Sequence, residues 1–274
     1  MKLFTFGDSY TEGVGCDLNQ EYKIISSNGF ADVTLFRNQY SWPKYLADKL
    51  SIEHTNYGVG ASSNKDIFEN ISQILKTNTI SNGDLVIVMW SSSLRDSVPY
   101  FPEEEWHIWS NRYKEKKHIF NTFLNKKHSN NPIYNDSLNE YKLFFMDNLF
   151  SNVYYDYVNQ NYILFLQHMF NKMNIRYVFC DAFDSMISKL VDLNIDNTHL
   201  INETNYWGYR TKTFKDFLID FNTGDVWEDF VKWEDVPGKH PNKFGYKLIA
   251  DELYEFIKQN NILTYRLNSK LRLI

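Results

Sequence analysis

Short runs of strand character, separated by stretches of helical periodicity, set the strongest limit on what this chain can fold into. The runs are Lys2–Phe6, Ile52–Tyr57, Leu85–Met89 and Arg176–Cys180, each the length of a buried strand. Trp42–Leu50, Asp66–Lys76, Tyr162–Met173 and Lys243–Lys258 carry helical spacing, and in the last of these Phe244, Leu248, Ile249, Leu253 and Ile257 share one face. Alternation of this kind predicts an α/β fold, with a parallel sheet covered by helices. At roughly 150 residues per domain, 274 residues fit one large domain with insertions or two small ones. No internal repeat or low-complexity linker divides the chain, so one domain over residues 1–274 is expected. Two stretches, about 96–157 and 183–233, are polar, rich in aromatics and too long for simple loops. They read as insertions forming a cap.

Composition narrows the function classes. Hydrophobic residues at 43% and charged residues at 23% are ordinary globular values, and no apolar run approaches the ~20 residues of a membrane helix. A chain of this length buries about three quarters of its unfolded surface, so it needs neither disulfides nor a structural metal to fold. With 29 basic and 34 acidic residues the net charge is -5, which argues against a phosphate-neutralising surface and hence against nucleic acid as partner. Cys16 and Cys180 lack metal-ligand spacing, and no secretory apolar segment precedes Gly7. The expected compartment is therefore the cytoplasm. Aromatics at 17% supply either core or flat faces for stacking on sugars. The tail Thr264–Ile274 carries Arg266, Lys270 and Arg272 without an acid and reads as a solvated edge or a subunit contact. Oligomeric state is not legible.

In an open parallel sheet, ligands bind at the carboxyl ends of the strands. The first such end is Gly7-Asp8-Ser9-Tyr10-Thr11-Glu12-Gly13. A serine just past a strand can expose its hydroxyl in a crevice beside a backbone N–H; alternatively Ser9-x-x-Glu12 is a helix capping box. The second signal is His240-Pro241-Asn242 before the last amphipathic helix. Histidine is the usual base for a serine nucleophile, and a carboxylate that orients the imidazole completes the set. His54, His107, His118, His128, His168 and His199 have no such company and read as filler.

Together these blocks resemble the SGNH (GDSL-type) hydrolases. Gly7-Asp8-Ser9 resembles that family's first block, Asn56-Tyr-Gly58-Val-Gly60-Ala-Ser-Ser-Asn64 its second, and His240-Pro-Asn242 its last, in family order. The resemblance implies a three-layer α/β/α, flavodoxin-like fold with Ser9 as nucleophile, His240 as base, and the N–H groups of Ser9 and Gly60 in an oxyanion hole. Two blocks depart from the pattern. After Leu85–Met89 the family has Gly-x-Asn-Asp where this chain has Trp90-Ser91-Ser92-Ser93, so Ser92 falls at the oxyanion asparagine, with Arg95 a neighbour able to substitute. The usual acid position before the histidine is Pro237, which leaves Asp235 as the orienting acid, Glu234 second, or a Ser-His dyad held by a backbone carbonyl. Asp8 and Arg95 are candidate substrate contacts, a structural ion pair being the alternative for Arg95. The resemblance implies a serine esterase removing small acyl groups, O-acetyl by family analogy, from a small-molecule or polysaccharide ester such as a carbohydrate. An O-acyltransferase with the same acyl-enzyme, or a non-catalytic carbohydrate-binding protein on this fold, stays open. No metal or other cofactor is required, and the chain contains no His-Glu-x-x-His, Cys-x-x-Cys or Gly-x-x-x-x-Gly-Lys motif.

Overall fold

The computed structural model describes residues 1–16, 33–60, 62–92, 95–100, 116–121, 152–183, 198–221, 227–228 and 240–264. In chain order the elements are β1 (Lys2–Gly7), α1 (Ser9–Glu12), α2 (Val33–Tyr40), α3 (Trp42–Leu50), β2 (Glu53–Gly58), α4 (Asn64–Lys76) and β3 (Leu85–Trp90). They continue with β4 (Arg95–Tyr100), β5 (Lys116–Asn121), α5 (Asn152–Met173), β6 (Arg176–Asp181), α6 (Phe214–Asp220), β7 (Trp227–Glu228), β8 (His240–Pro241) and α7 (Lys243–Gln259).

Four strands form one parallel sheet in the order β2-β1-β3-β6. In register, Gly7 lies opposite Gly58, Phe6 opposite Val88, and Trp90 opposite Asp181. The carboxyl ends of all four strands therefore open on the same side. Strand side chains alternate between two buried faces. Phe4, Phe6, Val86, Val88, Trp90, Tyr177 and Phe179 pack under α4 and α5 through Ile67, Ile71, Ile163, Leu166 and Phe170. Leu3, Leu85, Ile87, Met89, Val178 and Cys180 pack on the other face under α3 and α7 through Trp42, Leu46, Ile249, Leu253 and Ile257. Helices on both faces make three layers and explain why β1, β3 and β6 read as near-continuous apolar runs. β2, at the edge, keeps a more polar sequence, and its burial alternates.

Helix starts follow local capping chemistry. α4 begins at Asn64, because Ser63 and Asp66 form a reciprocal capping box, two residues before the start that periodicity suggests. Thr213 and Asp216 do the same for α6, and Asn242 caps α7 by accepting from the N–H groups of Phe244 and Gly245. α5 begins at Asn152, ten residues before the apolar spacing becomes regular.

Described parts of both insertions join the regular structure. β4 and β5 pair antiparallel within the first. In the second, Tyr206 forms a parallel bridge to Phe179, and the N–H of Trp207 donates to Phe179 O at 2.9 Å, extending the sheet past β6. Trp207, Phe214, Phe217 and Leu218 are buried in the α3–α7 face of the core. Residues 101–115, 122–151, 184–197, 222–226 and 229–233 of the insertions lie outside the described residues, as does the tail beyond Thr264. Many rings serve the core: Phe179 touches the rings of Trp90, Phe170, Tyr177 and Tyr206 at centroid distances of 5.0–6.3 Å. No helix among the described residues is long and apolar enough to cross a membrane.

Because Phe179 is fully buried in this ring cluster, Phe179→Ala should lower the free energy of unfolding by about 3–5 kcal/mol. Urea denaturation checks this, and a loss below about 1 kcal/mol would contradict the packing described.

Candidate active site

β1 delivers Asp8 and Ser9 to the carboxyl end of the sheet, where the chain turns at once into α1. The turn is made by Asp8, whose Oδ1 accepts the Tyr10 N–H at 3.0 Å as the N-cap. Asp8, not Ser9, is thus the cap, and the Ser9 hydroxyl is left for other use. α1 ends after one turn at Gly13, which has φ 95°, a conformation suited to glycine.

The short helix lies directly on β2. A Cβ at Gly58 would run into the backbone of Thr11 and Glu12, so only glycine permits this approach. Asn56 fixes the contact: its Nδ2 donates to Thr11 O at 2.7 Å, while its Oδ1 accepts from Gly58 N–H at 2.9 Å and Thr5 Oγ1 at 3.1 Å.

His240 arrives from the far end of the chain. Its Nε2 lies 2.8 Å from Ser9 Oγ, and with Nε2 unprotonated the serine hydroxyl donates to it. Ser9 is 7% exposed. Three contacts hold His240's segment against the loop after α1. β8 pairs with β7, with His240 opposite Glu228. At Gly15, φ is 110°, and an added Cβ would sit 2.9 Å from His240 Cβ and 2.5 Å from Pro241 O. Tyr246, one turn into α7, donates from its hydroxyl to Val14 O at 2.7 Å. Burial pushes the Tyr246 phenol well above the ordinary tyrosine range, so it remains a donor at neutral pH.

The other expected residues fall differently. As the first residue of α1, Ser9 has an N–H with no intrahelical carbonyl to bond. Gly60 is otherwise placed: its N–H donates to the Glu12 carboxylate, which also pairs with Arg37 of α2. Gly60 can therefore serve a bound oxyanion only when Glu12 releases it. Ser92 is half-buried just beyond β3, with its carbonyl accepting from Asn64 Nδ2 at 3.4 Å. Asp8, considered as a substrate contact, is instead fully buried and commits its oxygens inward, one to Tyr10 N–H and the other to the Ser91 hydroxyl at 2.6 Å. Arg95 opens β4, its backbone opposite Asn121; its side chain, and all of Asp235 and Glu234, lie outside the described residues.

Sequence reasoning gives no role to Ser91, Tyr246 or Arg37, names Asn56 and Asn64 only as part of a block, and places Glu12 only in a capping box. Their signal is faint because each is an ordinary polar residue whose partner lies far off in the chain. Among the described residues, no group of three or more His, Cys, Asp or Glu side chains could hold a metal ion.

No family model matches the chain, and no curated protein matches it. Among solved structures, the chain is similar to a member of the lipolytic protein G-D-S-L family from Veillonella parvula, at 14% identity and TM-score 0.43, over 94% of this chain and 99% of that one. It is also similar to the psychrotrophic esterase EstA from Pseudoalteromonas sp., at 14% identity and TM-score 0.44, over 94% and 97%. A third is the acetyl xylan esterase AlAXEase, at 14% identity and TM-score 0.41, over 93% and 98%.

Gly15→Ala should move His240 away from Ser9 while leaving the sheet intact. Such a displacement should slow phosphonylation of Ser9 by a fluorophosphonate about 10²-fold, measured by mass spectrometry over time. An unchanged rate would show that Gly15 does not set the Ser9–His240 distance.

Proposed function

We propose that the chain is a serine esterase that hydrolyses small acyl esters, with O-acetyl groups on a carbohydrate as its substrate class. The observation that carries this reading is the 2.8 Å distance between Ser9 Oγ and His240 Nε2, the separation of a nucleophile from its general base. His240 Nε2 takes the Ser9 proton as Oγ attacks the ester carbonyl. The resulting oxyanion is held by the Ser9 N–H and the Ser92 hydroxyl, and by the Gly60 N–H once Glu12 withdraws. Collapse of the tetrahedral intermediate breaks the ester C–O bond, and the proton passes from His240 to the departing alcohol. Water then attacks the acyl-enzyme, giving its proton to His240, and the acid leaves as Ser9 recovers its hydrogen. Asp235 orients the imidazole, with Glu234 as second choice.

The carbohydrate part of the reading draws on the resemblance of the sequence blocks and on aromatic surface near the histidine. Phe244, four residues beyond His240, is 60% exposed, and an exposed ring offers a flat apolar face to a sugar.

Treatment with a fluorophosphonate should give a single adduct on Ser9, absent in Ser9→Ala and lost or strongly slowed in His240→Ala. A folded sample without the adduct would sink the esterase reading. With a simple acetate ester, Asp235→Asn should lower kcat far more than Glu234→Gln; equal rates would move the orienting role to another group.

A further inference from the structure

Past its last ladder residue, Trp90, β3 leaves the sheet, and among the described residues no strand pairs with Ser91 or Ser92. A side chain from another layer takes that place. Asn64, the first residue of α4 and 2% exposed, accepts the Ser91 N–H on Oδ1 at 2.8 Å and donates from Nδ2 to Ser91 O at 3.3 Å and Ser92 O at 3.4 Å. One amide thus engages the donor and the acceptor of the same residue, as a neighbouring strand would. With its backbone held in this way, Ser91 donates its hydroxyl to Asp8 Oδ2 at 2.6 Å. Asp8 Oδ1 in turn caps α1 through the Tyr10 N–H, and Ser9 is the residue between them.

These bonds form one buried path from α4 to the nucleophile. Ser91 and Asp8 are both 0% exposed, and within such a path each group is oriented by the one before it. We propose that Asn64 and Ser91 are positioning residues for Ser9: Asn64 fixes Ser91, and the Ser91 hydroxyl fixes the Asp8 carboxylate that starts α1 and aims the Ser9 N–H and Oγ. The proposal rests on the serine-esterase reading above. It adds that the nucleophile's geometry is set from the α4–β3 side of the sheet, as well as from the His240 side.

The measurement is the rate of Ser9 phosphonylation by a fluorophosphonate, resolved into maximal rate and half-saturating concentration, with thermal unfolding as a control. Ser91→Ala and Asn64→Ala should each reduce the maximal rate about 10–100-fold, about 1.4–2.7 kcal/mol at 1.36 kcal/mol per decade, as expected when a buried hydrogen bond is removed. The half-saturating concentration should change less than about twofold, because the groups that bind the probe are untouched. Asn64→Ala added to Ser91→Ala should cost no more than about threefold further, because both act along one path. Ser91→Thr, which keeps the hydroxyl, should restore most of the rate. Where Asn64→Ala does not fold, Asn64→Asp retains the acceptor for the Ser91 N–H and serves in its place.

Multiplicative losses in the double variant would overturn the shared path. A lowered unfolding temperature with an unchanged maximal rate would overturn the positioning role and leave a structural one. Parent protein that labels at Ser9 with a rate indifferent to Asn64 and Ser91 would overturn this proposal alone, whereas parent protein that takes no phosphonate at Ser9 would overturn the esterase reading and this proposal with it.

Discussion

Everything in the site depends on how closely α1 can approach β2. A single helical turn must lie against the end of a parallel strand, and the contact exists because Gly58 presents no side chain to the backbone of Thr11 and Glu12. Close packing leaves no slack at such a point. Asn56 then ties the Thr11 carbonyl to β2, so the height of Ser9 above the sheet follows from strand register rather than from loop conformation. With Gly7 opposite Gly58, and Trp90 opposite Asp181, Ser9 sits on a level set by the ladder.

Charge near Ser9 is managed by enclosure. Asp8 is fully buried, and a buried carboxylate requires hydrogen-bond donors; the Tyr10 N–H and the Ser91 hydroxyl supply them. Glu12, at the other end of the same turn, is partly exposed and is matched by Arg37 and the Gly60 N–H. Two acids therefore flank Ser9 with distinct duties. Asp8 organises the helix start, and Glu12 ties α2 and the β2–α4 turn to the helix end.

Much of this was legible in the residues. The buried strands β1, β3 and β6 are apolar along their length because both faces are covered, and α7 advertises its buried face through Leu253 and Ile257. Ser9 and His240 stood out because chemistry restricts residue type there. Residues 198–221 were harder to read: Trp207 and Phe214 look like cap aromatics in the sequence, yet they stack at 3.8 Å inside the core. An aromatic-rich stretch has no period that distinguishes a core edge from a cap. Gly60 meets a related limit, since a glycine after a strand shows that the backbone comes close to something but not that Glu12 takes its N–H.

The sequence by itself determined the layered parallel fold, the strand ends at which chemistry can occur, and the identity of the nucleophile and base candidates, because hydrophobic period and residue chemistry are local properties. Tertiary structure alone decided that Ser9 and His240 stand 2.8 Å apart across 231 positions of chain. It also decided that Asp8 faces inward, that Glu12 holds the Gly60 N–H, and that Asn64 completes the backbone of Ser91. Each of these depends on which distant group packing brings within hydrogen-bond range, and no spacing along the chain encodes such a meeting.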